Sequence, residues 1–136
     1  MFATLNRNLL KSIVLFDGVF SLATAGLLFA FSGPISGLVG PLATPGILLA
    51  FAVFFVFWGG FHLAVGRQER PSPAAVRFTI IGDALWVLGS VAVLVLGHGG
   101  LTAIGMGLIA VAAVAVADIL LIKQIGLGRQ QKTMLA

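Results

Sequence analysis

Four stretches of this chain, at about 10–31, 45–65, 73–96 and 102–122, stay apolar over the roughly 20 residues that a helix needs to cross the hydrocarbon core of a bilayer. Nothing else constrains the chain as strongly. In lipid every backbone N–H and C=O must find its partner within the spanning segment, so each run is read as an α-helix. Composition agrees: 60% of residues are hydrophobic and 9% charged, where soluble domains carry about 25% charge, and the mean hydropathy is +1.15. The expected fold is an all-α membrane protein, one four-helix transmembrane domain over residues 1–136. That leaves no room for a soluble catalytic domain.

The connectors carry the boundary signals. Thr44 before Pro45 and Ser72 before Pro73 each pair an N-cap hydroxyl with a proline at the first helical position, and Thr102 is a third N-cap. Gly66 is read as a C-cap, and Gly97-His98-Gly99-Gly100 as a tight turn. The segment 32–46, with Pro34, Pro41 and Pro45 and no charge, is expected to rest at the lipid interface as a connector. The basic tail 126–136 is expected to be mobile.

The eight Lys and Arg residues (Arg7, Lys11, Arg67, Arg70, Arg77, Lys123, Arg129, Lys132) lie near the N-terminus, in or beside the central connector, or near the C-terminus. Each sits beside an apolar run, so the net charge of +4 reads as a topology signal and not as a nucleic-acid patch. By the positive-inside rule both termini are cytoplasmic, in a bacterial inner membrane. The first 30 residues resemble a signal peptide, with a basic start, an apolar stretch and small residues at 23–25, but Asp17 inside the apolar stretch argues against cleavage.

An internal repeat is a second argument against it. The first run aligns with the third (Lys11 on Arg77, Asp17 on Asp83, Leu22 on Leu88, Ala23 on Gly89, Thr24 on Ser90) and the second with the fourth (His62 on Asp118, Arg67 on Lys123, Gln68 on Gln124). Two duplicated hairpins, about 7–68 and 73–124, are therefore expected, related by a pseudo-twofold along the membrane normal.

The repeat brings out the polar residues. Asp17, Ser21 and Thr24 share one helical face, and Thr79, Asp83, Trp86 and Ser90 repeat it. With His62 and Asp118, each helix carries one ionisable group on the same side of the bilayer, about 6 to 13 Å inside the cytoplasmic edge at 1.5 Å per residue. Lipid offers such groups no partners, so Asp17, His62, Asp83 and Asp118 are expected to face the bundle axis as a proton or cation site, or simply as interhelical glue.

Other chemistries find little support. With no cysteine the chain has neither disulfides nor thiolate ligands. No EXXH-type helical pair accompanies the acids, so no metal site and no cofactor is expected. His62 and His98 fall at opposite ends and cannot flank one haem. Ser21 or Ser90 could complete a Ser-His-Asp set only on paper, because no nucleophile elbow is present, and Gly105-Met106-Gly107 follows no strand and is no nucleotide loop. Phe54, Phe55, Trp58 and Trp86 are read as packing or as a groove for a lipid tail or quinone.

Through Gly82 to Ser90, then Thr102-Ala103-Ile104-Gly105 and Gln124-Ile125-Gly126-Leu127, the chain resembles small uncharacterised bacterial four-helix integral membrane proteins. In these an Asn or Asp, then Trp-Val and a Ser, recurs in the third helix. Its hairpin size is also similar to that of the DoxX-like group and of the small multidrug transporters. The latter place a glutamate in the first helix, where this chain has Asp17 and adds a second acid, Asp83. The resemblance implies a four-helix inner-membrane protein and brings no catalytic residue with it.

Two functional expectations follow. One is a non-enzymatic accessory or scaffold subunit embedded in the lipid bilayer, packed as a homo-oligomer or within a larger membrane complex, with no nucleic-acid partner. The other is a proton-coupled transporter or channel for small solutes that uses Asp17 and Asp83, with His62 as relay.

Overall fold

The computed structural model describes residues 8–136, so Arg7 and the start of the first repeat half lie outside the described residues. The described chain is helical with no strand: α1 (Leu9–Val39), α2 (Pro45–Gly66), α3 (Pro73–Leu96), a short 3-10 turn (His98–Gly100) and α4 (Ala103–Leu135). All four α-helices are long and apolar enough to cross a membrane, as in a multi-pass membrane protein.

Each expected N-cap is in place. Thr44 accepts from the amide of Ile47 at 3.3 Å, Ser72 from Ala75 at 3.5 Å and Thr102 from Gly105 at 2.9 Å. At the other ends the chain runs on further than the sequence reading expects. Gly66 is the last residue of α2 and not its cap, which is Arg67. The segment after Phe31 is no connector: α1 breaks at Phe31 (φ −130°, ψ 26°) and resumes to Val39. Proline clashes with the carbonyl four residues before it, which accounts for the break. Pro34 then lies in the first turn of the resumed helix, where no N–H is required. The tail is likewise helical to Leu135, and Gln130 ties it to the central connector by donating to the Pro71 carbonyl at 2.9 Å.

Adjacent helices around the bundle follow chain order: α1 packs along α2, α4 against both α1 and α3, while α2 and α3 approach chiefly through side chains. Small residues permit the close crossings. A Cβ on Gly59 would come within 2.9 Å of the Gly18 carbonyl, and one on Gly105 would strike the Val39 carbonyl. The α2–α3 seam is filled by rings instead: Trp86 packs on Phe51 and Phe55, with centroids 5.5 and 5.1 Å apart, and Phe78 on Trp58 and Phe61.

The two loops at the end away from the termini are bonded together. Leu42 donates to the Gly100 carbonyl at 3.0 Å, the Thr102 amide to the Val39 carbonyl at 2.9 Å, and the Thr102 hydroxyl to the Leu38 carbonyl. Gly40, at φ 117°, turns the chain where a side chain would strike Gly100. At the terminal end Leu10, Val14, Val65, Val76, Ile80 and Leu127 form an apolar plug, drawn from all four helices.

Candidate functional site

Immediately behind that plug four ionisable side chains meet, one from each helix. Asp17 on α1, His62 on α2, Asp83 on α3 and Lys123 on α4 are 5%, 0%, 3% and 0% exposed. Helical periodicity stacks each one over a plug residue of its own helix: Asp17 over Val14, His62 over Val65, Asp83 over Ile80 and Lys123 over Leu127. The apolar layer therefore separates the quartet from the terminal end.

Lys123 is the centre. Its ammonium Nζ donates to Asp17 Oδ2, to Asp83 Oδ2 at 2.6 Å, and lies 2.9 Å from His62 Nε2. The direction of α4 explains the reach. Helical side chains lean toward the N-terminus of their helix, and the N-terminus of α4 lies at the far end of the bundle, so Lys123 points inward and away from the plug. An ammonium with three donors facing two carboxylates and a ring nitrogen is fully used, and no buried side-chain nitrogen or oxygen among the described residues lacks a partner.

Hydrogen bonding fixes the His62 ring. Nδ1 lies 2.8 Å from the Trp58 carbonyl, which only accepts, so Nδ1 carries a proton. Nε2 then faces both an ammonium donor at 2.9 Å and the Asp17 carboxylate, an acceptor, also at 2.9 Å. Nε2 accepts from Lys123 as a lone pair or donates to Asp17 as N–H, and it cannot satisfy both at once. With His62 neutral the four groups sum to one negative charge, and one more proton among Nε2 and the carboxylates brings them to zero.

Asp17, His62 and Asp83 also place one ligand atom each within 4.8 Å of one another, a spacing compatible with a metal ion. The positive charge that such a trio attracts comes here from Lys123, whose ammonium lies against all three.

Two sequence readings need correction. Lys123, read as an orientation marker at the end of the fourth span, is completely buried. Asp118, expected to face the axis as the counterpart of His62, is exposed on α4. Five residues separate it from Lys123, about 140° around a helix at 100° per residue, so when one faces the axis the other cannot. A signal for Lys123 was present in the sequence. Two acids inside apolar helices require a counter-charge, and Lys123 continues a face with Ile119, Gly126 and Leu127, all buried.

Three of the remaining residues of the polar stripes turn to their own helices. Thr79 donates to the Val76 carbonyl at 2.7 Å, Ser90 to Trp86 at 2.8 Å and half-buried Thr24 to Phe20 at 2.9 Å, while Ser21 is buried one turn beyond Asp17. Phe54, Phe55, Trp58 and Trp86 do come together, as rings packed on one another, with Trp58 also edge-on to His62 at 4.9 Å. His98 lies in the far turn and meets the Val95 carbonyl. No protein-family model, curated protein or solved structure matches this chain.

Proposed function

We propose that this chain is a non-enzymatic subunit of a bacterial inner membrane, an accessory or scaffold protein whose buried quartet pins four helices and leaves its outer surface for association. The observation that carries this reading is that every member of the quartet finds its partners within the quartet or its own helix, behind an apolar plug. Nothing in the cluster remains for a substrate. Both termini are cytoplasmic in this reading, because Lys11, Arg67, Arg70, Arg129 and Lys132 crowd the terminal end and the far loops carry no Lys or Arg. The shared position of Asp17 and Asp83 in α1 and α3 supports an ancestral hairpin duplication, later diverged at His62 and Lys123.

Purification from native membranes in mild detergent tests the proposal. A stable complex, with itself or another membrane protein, is expected; a chain that always runs as a lone monomer contradicts it.

One observation favours a second reading, a proton-coupled carrier or channel for small solutes. His62 Nε2 lies 2.9 Å from both a donor and an acceptor, which gives a mobile proton several heavy atoms to reside on. Proteoliposome flux separates the two. If Asp17→Asn and Asp83→Asn abolish a pH-dependent flux while the chain still inserts and folds, the quartet carries protons; if wild type shows no flux and the variants lose stability, it is a structural pin.

A further inference from the structure

The terminal end of the bundle holds a cavity that the quartet does not use. Gly126, three residues beyond Lys123, lets α1 cross α4 closely, since a Cβ there would stand 3.0 Å from the Leu10 Cα. Past that crossing α4 runs on to Leu135, about 13 Å further at 1.5 Å per residue. One turn after Gly126, Gln130 donates to the carbonyl of buried Pro71 at 2.9 Å and holds the tail against the central connector. The start of α1, the connector and the tail thereby border a cavity of about 690 Å³.

Its walls are cationic. Lys11 comes from α1, Arg70 from the connector, and Arg129 and Lys132 from one face of the α4 tail; Glu69 is the one acid among the described residues that line it. Four cations against one acid leave a net of three positive charges. The positive-inside rule accounts for basic residues at this end, but not for their convergence on one cavity. The neighbouring groove between α3 and α4, of about 370 Å³, has Arg77 as its one charged residue among the described lining. Depth adds a second constraint. Leu10 belongs both to the apolar plug and to the cavity wall, so the cavity begins where the apolar core ends, at the level of the lipid headgroups. Leu9 and Met134 add apolar surface to the wall.

We propose that this cavity binds the headgroup of an anionic phospholipid, one with two phosphodiesters joined by glycerol, as in cardiolipin. Charge selects that occupant. Phosphodiester oxygens accept charge-assisted hydrogen bonds from ammonium and guanidinium groups, and Arg70 brings a planar fork suited to a pair of them. One phosphodiester would leave two of the three positive charges unbalanced, whereas two phosphodiesters leave one. Basic pockets between helices on the cytoplasmic side hold such headgroups, and a lipid of the surrounding bilayer arrives with its phosphates already at this depth. None of these residues belongs to the quartet, so the site stands beside either reading of it. A chain that always runs as a lone monomer would contradict the scaffold reading and leave this one intact.

Native mass spectrometry of the full chain released from mixed micelles, with cardiolipin and phosphatidylcholine in competition, tests the proposal. One cardiolipin is expected to be retained, preferred about tenfold or more over phosphatidylcholine, with phosphatidylglycerol, which has a single phosphodiester, held more weakly. Arg70→Gln with Lys132→Gln changes two exposed residues and is expected to lower cardiolipin retention about tenfold or more. Arg67→Gln with Arg77→Gln removes the same charge from exposed positions at the same end but outside the cavity, and is expected to change retention about twofold or less. Equal weakening by the two pairs would reveal charge attraction without a site and overturns the proposal. Displacement of the cardiolipin by millimolar inorganic phosphate overturns it too, by assigning the cavity to a soluble phosphate, as does retention no greater than that of phosphatidylcholine or phosphatidylglycerol.

Discussion

Replacing Lys123 with methionine keeps much of the buried volume and removes the charge that holds the quartet together. The expected loss follows from what remains. Asp17 and Asp83 are 5% and 3% exposed, and their ligand oxygens lie within 4.8 Å of one another. Two like charges at that separation repel by about 3.5 kcal/mol at an effective dielectric constant near 20. Breaking a buried ion pair by removing one member costs about 3–5 kcal/mol, so the two figures agree in scale. Lys123→Met is therefore expected to lose about 3–5 kcal/mol in equilibrium unfolding from mixed micelles, followed by tryptophan fluorescence. Trp58 packs on His62 and should report the loss of the site. Neutralising all three groups (Asp17→Asn, Asp83→Asn, Lys123→Met) should recover most of it, because no charge is then left unpaired. The reasoning is refuted if Lys123→Met costs less than about 1 kcal/mol, or if the triple variant is no more stable than the single one.

Other outcomes follow from the packing. Gly105→Ala drives a methyl into the Val39 backbone and is expected to cost about 1–3 kcal/mol, whereas Gly26→Ala, with open space around it, stays within about 1 kcal/mol of wild type in the same assay. Thr102→Ala loses both the cap of α4 and the bond to the Leu38 carbonyl; a loss of about 1 kcal/mol or more is expected, with faster amide exchange in residues 38–42. For orientation, Gly99→Cys should react with an impermeant thiol reagent added outside intact cells and Gln68→Cys only after lysis; the reverse pattern would invert the topology.

The sequence made the helices legible because their determinants are local. Apolar length, the hydroxyls of Thr44, Ser72 and Thr102, and the prolines behind two of them act within one turn, and the caps form where the residues place them. Asp17, His62 and Asp83 were legible as inward-facing groups because acids and a histidine in apolar helices have few alternatives. Lys123 was not, since its position at the edge of an apolar run also suits an interfacial anchor. The counter-charge that two acids in apolar helices require was the one pointer to it, and the packing of α4 against α1 and α3 turns its side chain back into the bundle. Asp118 was misplaced for a related reason: the repeat alignment set it opposite His62, and the register of α4 gives that place to Lys123. The resumption of α1 beyond Phe31 was missed because proline marks both an ending and a beginning of helices.

The central claim is that one ammonium group bridges two carboxylates and an imidazole in a sealed core. Solid-state NMR of the chain in lipid, with labelled lysine, aspartate and histidine, tests it most directly. The account expects correlations from Lys123 Nζ to the carboxyl carbons of both Asp17 and Asp83 and to His62 Nε2, with slow exchange of the ammonium protons with water. A Lys123 ammonium that exchanges freely with water and correlates with neither aspartate would contradict it.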